Sequence, residues 1–375
     1  MTLTRESFDC YGERTTTWVL DKIFPLIAQS PQGLHHKVGI RDQVIMPSPD
    51  TFTRPHPIFW RFVFILSVLY ELFLIFLLFQ EYDFIKSMIY SIYPDLKDFH
   101  IDAEKEYGVN CSDITVERIW NSLDVFAWGH FIGWATKAVL VRHYGICWTI
   151  SVTWEITEVA FAHLLPNFIE CWWDAYVLDV LLCNGLGIYC GMWIVRKLDM
   201  RQYNWERFKD KESTTGKLQR AVLQFTPVNW SRTRWIEPKC SYVRMLTVTL
   251  LVIFWQITEL NTFFLKHIFE IPPAHQLSVL RLFLISFIVA PSIRQYYSRC
   301  TDTRVKSLGS QCKVFGAIMF TELFICIKFG RDLFAQTQIL HIIMWLCIQF
   351  ILSIFCVILC VLYSNTCENR KIKAR

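Results

Sequence analysis

Eight stretches of this chain stay apolar too long for a segment that faces water on one side. They are residues 59–79, 124–141, 145–165, 175–195, 245–264, 276–291, 313–329 and 339–363, the sixth being the shortest. Apolar runs of about 18 residues or more are the mark of membrane-spanning helices. The expected fold is therefore all-α: a polytopic integral membrane bundle of about eight spans. Residues 1–51 form a mixed, polar N-terminal segment with no signal-peptide pattern and only a weak apolar patch at Trp18–Ala28. The spans then fill residues 52–363, and 364–375 form a basic tail. No internal repeat is evident.

Charge in the connections gives an orientation, because Lys and Arg concentrate on the cytosolic side. Residues 80–123 carry nine acidic and four basic side chains, whereas 196–244 carry twelve basic and five acidic. Residues 292–313 carry five basic and one acidic, and the tail four basic and one acidic. Strict alternation of eight spans places every basic segment, with Arg54 and Arg61, in the cytosol and the acidic loop opposite. The sequon Asn110-Cys111-Ser112 then falls on the lumenal side and Asn229-Trp230-Ser231 on the cytosolic side. Lys371 and Lys373, fifth and third from the end, resemble a dilysine retrieval signal for the endoplasmic reticulum; a basic tail touching anionic lipid accounts for them equally. The net charge of +5 is too small to make nucleic acid a partner. The 14 Cys show no CxxC pair or zinc spacing, and packing within apolar runs is the use that fits most of them.

The middle of the chain is acidic. From Tyr144 to Val195 there is no Lys or Arg, yet there are five carboxylates: Glu155, Glu158, Glu170, Asp174 and Asp179. Glu155 and Glu158, i and i+3, share a helical face. Pro166 is suited to open a helix, which would set Glu170 and Asp174 at i, i+4 on one face beside Asn167, with Asp179 and Asn184 deeper along the next span. An ionised carboxylate at the bilayer centre costs roughly 2.5–3.5 kcal/mol. Five cannot all be charged and bare, so they are protonated, neutralised by cations, paired with Lys137 or Arg142, or in lumenal water. Oxygen donors of this kind suit Ca²⁺ or Mg²⁺ better than zinc. His130, in the span 124–141, is the general-base candidate beside such a cluster, and His163 competes for the role. Glu71, Glu259 and Glu322 stand apart in sequence and read as helix-packing or lipid-binding acids.

The motifs Trp154-Glu155-Ile156-Thr157-Glu158, His163 to Asp174 (HLLPNFIECWWD) and Leu178 to Gly185 (LDVLLCNG) resemble the animal phosphatidylserine synthases of the base-exchange type. The likeness runs from Phe52-Thr53-Arg54-Pro55-His56-Pro57 to about Tyr363. Trp148-Thr149-Ile150-Ser151 and Arg294-Gln295-Tyr296-Tyr297 lean to the type 1 branch. The resemblance implies a calcium-dependent enzyme of the endoplasmic reticulum membrane that replaces the choline or ethanolamine of a phospholipid with L-serine. Its important polar positions fall on His130, Glu155, Asn167 and Asn184, read as catalytic, and on Glu158, Glu170, Asp174 and Asp179, read as metal ligands. Ca²⁺ is the expected cofactor, with Mg²⁺ or Mn²⁺ second. Arg54, Arg220, Gln224 and Arg294 match positions tied in the family to product feedback. Phosphatidylethanolamine or phosphatidylcholine, L-serine, membrane lipids and a second copy of the chain are the expected partners. Such proteins usually carry ten spans, two of them before the Phe52 motif, where residues 1–51 hold no run of that length.

Exchange of one phosphodiester for another needs no nucleotide, in keeping with the lack of a Gly-rich phosphate loop. Two rivals use similar residues. The Asp-x-x-Asp-Gly…Asp-x-x-x-Asp pattern of CDP-alcohol phosphatidyltransferases is absent. A cation transporter would also place acids at mid-membrane, but such folds usually show repeated halves.

Overall fold

The computed structural model describes residues 57–99, 108–112, 114–122, 125–199, 213–215, 235–236, 240–302 and 305–373. Residues 51–375 make one compact unit. In chain order its helices are α1 (Pro57–Leu78), α2 (Tyr82–Ile92), α3 (Val116–Ser122), α4 (Val125–Val141), α5 (Tyr144–Phe161), a π-helical segment (Asp174–Asn184) continuing into α6 (Gly185–Asp199), α7 (Tyr242–Ile268), α8 (Gln276–Thr301), α9 (Ser310–Phe329), α10 (Arg331–Phe334) and α11 (Ile339–Lys373). No strand occurs among the described residues.

Each of the eight apolar runs thus forms a helix. Five are long and apolar enough to cross a membrane by length and composition alone: Phe59–Leu78, Asp174–Lys197, Tyr242–Ile268, Gln276–Thr301 and Ile339–Thr366. The other three, α4, α5 and α9, have 17, 18 and 20 residues. α4 is the shortest of the three and carries His130 and Lys137, and Glu155 and Glu158 lower the mean hydropathy of α5. The exterior is apolar where lipid would lie: Phe62, Leu69 and Ile351 are 56%, 56% and 64% exposed.

The sixth run is longer than the sequence suggested. α8 continues through a buried Pro291 to Thr301, giving 26 residues in place of the expected 276–291. Proline interrupts the backbone ladder, and Ser292 Oγ donates to the Ile288 carbonyl at 2.7 Å, engaging a carbonyl in the same turn. The final helix likewise runs unbroken past residue 364 to Lys373.

Contacts between connections agree with strict alternation. On the side assigned to the lumen, Lys86 pairs with Glu270, Lys328 Nζ donates to the Leu78 and Gln80 carbonyls, and Cys111 is disulfide-bonded to Cys171. At the other end Trp235 Nε1 donates to the Val141 carbonyl at 2.7 Å. The disulfide is a use of cysteine that the sequence did not signal: Cys111 and Cys171, 60 positions apart, form a covalent bond suited to an oxidising compartment.

Helix packing fixes the site's floor. Gly187 and Gly191, four apart on α6, let that helix lie directly on α4. A Cβ at Gly191 would stand 2.3 Å from the Ala135 carbonyl oxygen, and one at Gly187 2.7 Å from that of Phe131. α5 is held from behind by a polar seam. Gln256 Nε2 donates to Thr153 Oγ1 at 2.8 Å and to the Ile150 carbonyl at 3.1 Å, and Gln349 Nε2 donates to Thr157 Oγ1 and the Thr153 carbonyl at 2.9 Å each. At 3.6 residues per turn, Thr153 and Thr157 occupy one face of α5 while Ser151, Glu155 and Glu158 occupy the opposite one. The N-terminus of α5 is capped by His143, whose Nδ1 accepts from the Ile146 N–H at 3.2 Å. Burial pulls the His143 imidazole down to about 4, keeping it neutral and able to accept.

Candidate functional site

α5, α4 and the π segment bring most of the predicted polar residues together. The π segment explains a spacing that an α-helix would waste. With i→i+5 hydrogen bonding, residues five apart stack above one another. Asp174, Asp179 and Asn184 therefore form one row, and all three are buried, 8%, 9% and 0% exposed. In an α-helix the same positions would point in different directions.

Asp179 faces α4 and Asn184 faces α5. His130 Nδ1 lies 3.4 Å from Asp179 Oδ1, within ion-pair reach though not aligned as a hydrogen bond. Asn184 Nδ2 donates to Glu155 Oε1 at 3.2 Å and to Ser151 Oγ at 3.0 Å, tying the π segment to α5. One turn along α5, Trp154 Nε1 donates to Glu158 Oε1 at 2.7 Å. The charges of Glu155, Glu170 and Asp179 all act on Glu158, so these four acids share one electrostatic neighbourhood. Asn184 Oδ1 is left buried with nothing to accept from, a condition that calls for a water or an ion. Among the described residues no three His, Cys, Asp or Glu side chains converge into a ready coordination cage.

Glu170 departs from the expected geometry. Pro166 opens only a three-residue 3₁₀ turn, Pro166–Phe168, and the chain is extended at Ile169 before the helix resumes. Glu170 and Asp174 are thus not an i, i+4 helical pair. Glu170 instead reaches Asp179, with which it shares a hydrogen bond. Burial, followed by the charge of Asp179, pushes the Glu170 carboxyl up to about 9. Asn167 occupies the 3₁₀ turn itself.

The cluster also has a basic neighbour that sequence proximity did not bring to it. Lys137 lies on the face of α4 that carries His130 and Trp134, two turns along from His130. Its Nζ pairs with Glu259 Oε1 of α7 at 2.6 Å, rests 3.9 Å over the Trp134 ring, and exerts its charge on His130 and Glu155. Glu259, read from sequence as remote, therefore belongs to the rim of the site. Its pairing with Lys137 is a contact between distant segments that no local pattern signals.

The other candidates lie elsewhere. The exposed side chain of His163 has its Nε2 2.6 Å from Thr337 Oγ1 and its ring beside that of His341, at the lumenal end. Glu71 accepts from Thr321 Oγ1, and Glu322 pairs with Arg281; both tie α1, α8 and α9 together, as packing acids would. Arg294, on α8, lies 5.2 Å from the Tyr297 ring. Arg54, Arg220 and Gln224 fall outside the described residues, as does Asn229.

The fold and site define an all-α, multi-pass membrane protein with a buried His–carboxylate–amide cluster among its helices. Residues 55–330 match the family model described as phosphatidyl serine synthase. The phosphatidylserine synthase of Drosophila melanogaster is 60% identical over 314 residues, 84% of this chain and 63% of the relative. Phosphatidylserine synthase 1 of Danio rerio is 55% identical over 322 residues, 85% of this chain and 69% of the relative. A rice protein named CDP-diacylglycerol–serine O-phosphatidyltransferase 2 is 40% identical over 300 residues, 77% of this chain and 70% of the relative. The chain belongs to the phosphatidylserine synthase family, and its similarity to the type 1 protein of zebrafish agrees with the type 1 motifs. It spans roughly two thirds of the length of these relatives, 63% of the fly protein's. The family does not favour the cation-transporter reading.

Proposed function

We propose that this chain carries out calcium-dependent base exchange in the endoplasmic reticulum membrane, replacing the ethanolamine or choline of a phospholipid with L-serine. The observation that carries the reading is the juxtaposition of His130 with Asp179 and of Asn184 with Glu155 in one buried cluster. A membrane-embedded phosphodiester exchange needs such an arrangement: a base beside groups that manage negative charge.

Asp179 beside Nδ1 favours the imidazole tautomer protonated there, which leaves Nε2 of His130 as the basic nitrogen. Nε2 takes the serine hydroxyl proton as that oxygen attacks phosphorus and returns it to the departing alcohol. Asp179 and Glu155 stabilise the imidazolium between these transfers. Asn184 holds Glu155 and Ser151 in register so that the two helices act as one wall. The donor set of hard carboxylate oxygens, with the unsatisfied Asn184 Oδ1, fits a divalent cation of the calcium type. Glu158, Glu170, Asp174 and Asp179 would hold it, with Asn184 Oδ1 as a neutral donor. When bound, the cation supplies charge neutralisation and orientation for the phosphodiester. Asn167 is assigned a catalytic role, and Arg54, Arg220, Gln224 and Arg294 are assigned to product feedback.

The test is the full chain in lipid nanodiscs with labelled L-serine. Separate arms contain phosphatidylethanolamine, phosphatidylcholine or CDP-diacylglycerol as donor, each with Ca²⁺ or with chelator. Labelled phosphatidylserine with release of free ethanolamine or choline, only when Ca²⁺ is present, is the expected result. Product formed from CDP-diacylglycerol alone would overturn the exchange reading, and undiminished product with chelator would overturn the calcium requirement.

A further inference from the structure

Four of the five acids in the cluster stand on helices, Glu155 and Glu158 on α5, Asp174 and Asp179 on the π segment, where backbone hydrogen bonds fix them. Glu170 does not. It lies in the extended stretch between the 3₁₀ turn and the helix that follows, beyond the Ile169 N–H to Pro166 carbonyl bond and before the Asp174 N–H to Cys171 carbonyl bond. Apart from the hydrogen bond it shares with Asp179, its position depends on what packs against its two neighbours in the chain.

Both neighbours are gripped by the same loop. Gly108 abuts Ile169 so closely that a Cβ there would stand 2.7 Å from Ile169 Cγ2 and 3.0 Å from the Ile169 carbonyl oxygen. Three residues on, Cys111 is bonded to Cys171. Between these two contacts the loop turns at Asn110, whose φ of 51° lies in the left-handed region that Asn tolerates. Val109 places its carbonyl oxygen 3.7 Å from the Cys171 sulfur. Cys171 is fully buried, in a small apolar cluster with Trp173 and Leu178 to which Cys111 and Ile119 add. The loop thus holds residues 169 and 171 on either side of Glu170.

We infer that residues 108–111 and the Cys111–Cys171 disulfide form a clamp that positions Glu170 for cation binding, doing for this acid what helical hydrogen bonds do for the other four. The inference rests on the cation reading above and assigns a positioning role to residues remote in sequence from the cluster. It makes the site sensitive to thiol chemistry. A dithiol supplies two electrons and two protons, cleaving the bond to two thiols and becoming a disulfide itself, and so frees one side of Glu170.

The experiment measures the calcium-induced rise in unfolding temperature of the full chain in detergent micelles, titrated with Ca²⁺. It compares the unaltered protein, the same protein after dithiothreitol, the double variant Cys111→Ser/Cys171→Ser, and Gly108→Ala. The expected result is a Ca²⁺ midpoint at least fivefold higher in every perturbed form. In the exchange assay, saturating Ca²⁺ should restore turnover to within about twofold, a recovery that a general loss of structure would not show. If the double variant does not fold, Gly108→Ala and the reduced protein carry the comparison. Midpoints equal to that of the unaltered protein in the altered forms, or turnover that saturating Ca²⁺ does not restore, overturn the clamp alone. The absence of any Ca²⁺ effect on the unaltered protein overturns the cation reading and the clamp with it.

Discussion

Replacing Glu322 by Gln tests how the bundle around the site is held. Arg281 Nε and Nη2 donate to Glu322 Oε1 and Oε2 at 3.0 and 2.7 Å, Tyr70 OH donates to Oε1 at 2.6 Å, and Arg281 Nη1 donates to Thr262 Oγ1 at 2.9 Å. One carboxylate therefore joins α1, α8 and α9, with α7 attached through the guanidinium. The Glu322 side chain is 1% exposed and that of Arg281 16%, so water cannot replace the lost charge. Breaking a buried pair by removing one partner costs about 3–5 kcal/mol. At about 1.4 kcal/mol per tenfold, that lowers the folding equilibrium by roughly two to three and a half orders of magnitude. Unfolding by denaturing detergent in mixed micelles, followed by circular dichroism, gives the loss. The double variant Arg281→Met/Glu322→Leu removes both charges, so no ion is left stranded and most of the stability should return. A loss below about 1 kcal/mol in Glu322→Gln, or a double variant no better than that single one, would refute the reasoning.

Three further outcomes follow from the geometry. Gly191→Leu drives a side chain into the Ala135 carbonyl. It should destabilise the protein by about 1–3 kcal/mol or more and reduce exchange by shifting the His130 helix; thermal melts and turnover measured together would show both. Asp179→Asn leaves a similar shape beside His130 but loses the charge that sets its tautomer. Turnover should fall by two orders of magnitude or more with little change in serine KM, and equal turnover would remove Asp179 from the relay. His143, pulled down to about 4 by burial, is neutral in the fold while the unfolded chain takes up a proton below about 6.5. Stability is thus fully present above 6.5 and lost as pH falls toward 4, by as much as about 3 kcal/mol. In His143→Asn, which can still cap α5, melts between pH 7 and pH 4 should lack this component.

Much of the site was legible because short-range rules create it. The i, i+3 spacing of Glu155 and Glu158 does place both on the face of α5 that meets Asn184, and His130 does meet an acid of the cluster. The error at Glu170 arose from Pro166, which is compatible both with a helix start and with a single turn; local sequence does not distinguish them when packing against Gly108 stabilises the extended form. Lys137 is a candidate partner of the cluster in the sequence itself, but its pairing with Glu259, which the sequence sets apart, is not legible there because the two stand 122 positions apart.

The sequence by itself determined that this chain fills a membrane with helices, which eight stretches form the long apolar ones, and that its middle holds more acid than lipid tolerates. These follow from composition over windows of one helix length, because a bilayer demands apolar side chains and internally satisfied backbone. Tertiary structure alone decided that Asp174, Asp179 and Asn184 form a row, since the choice of a π over an α ladder depends on the helices packed around it. It alone decided that Cys111 closes on Cys171 and that Lys137 meets Glu259. Such contacts join residues whose separation along the chain carries no periodicity, and only the packing of whole helices brings them within bonding distance.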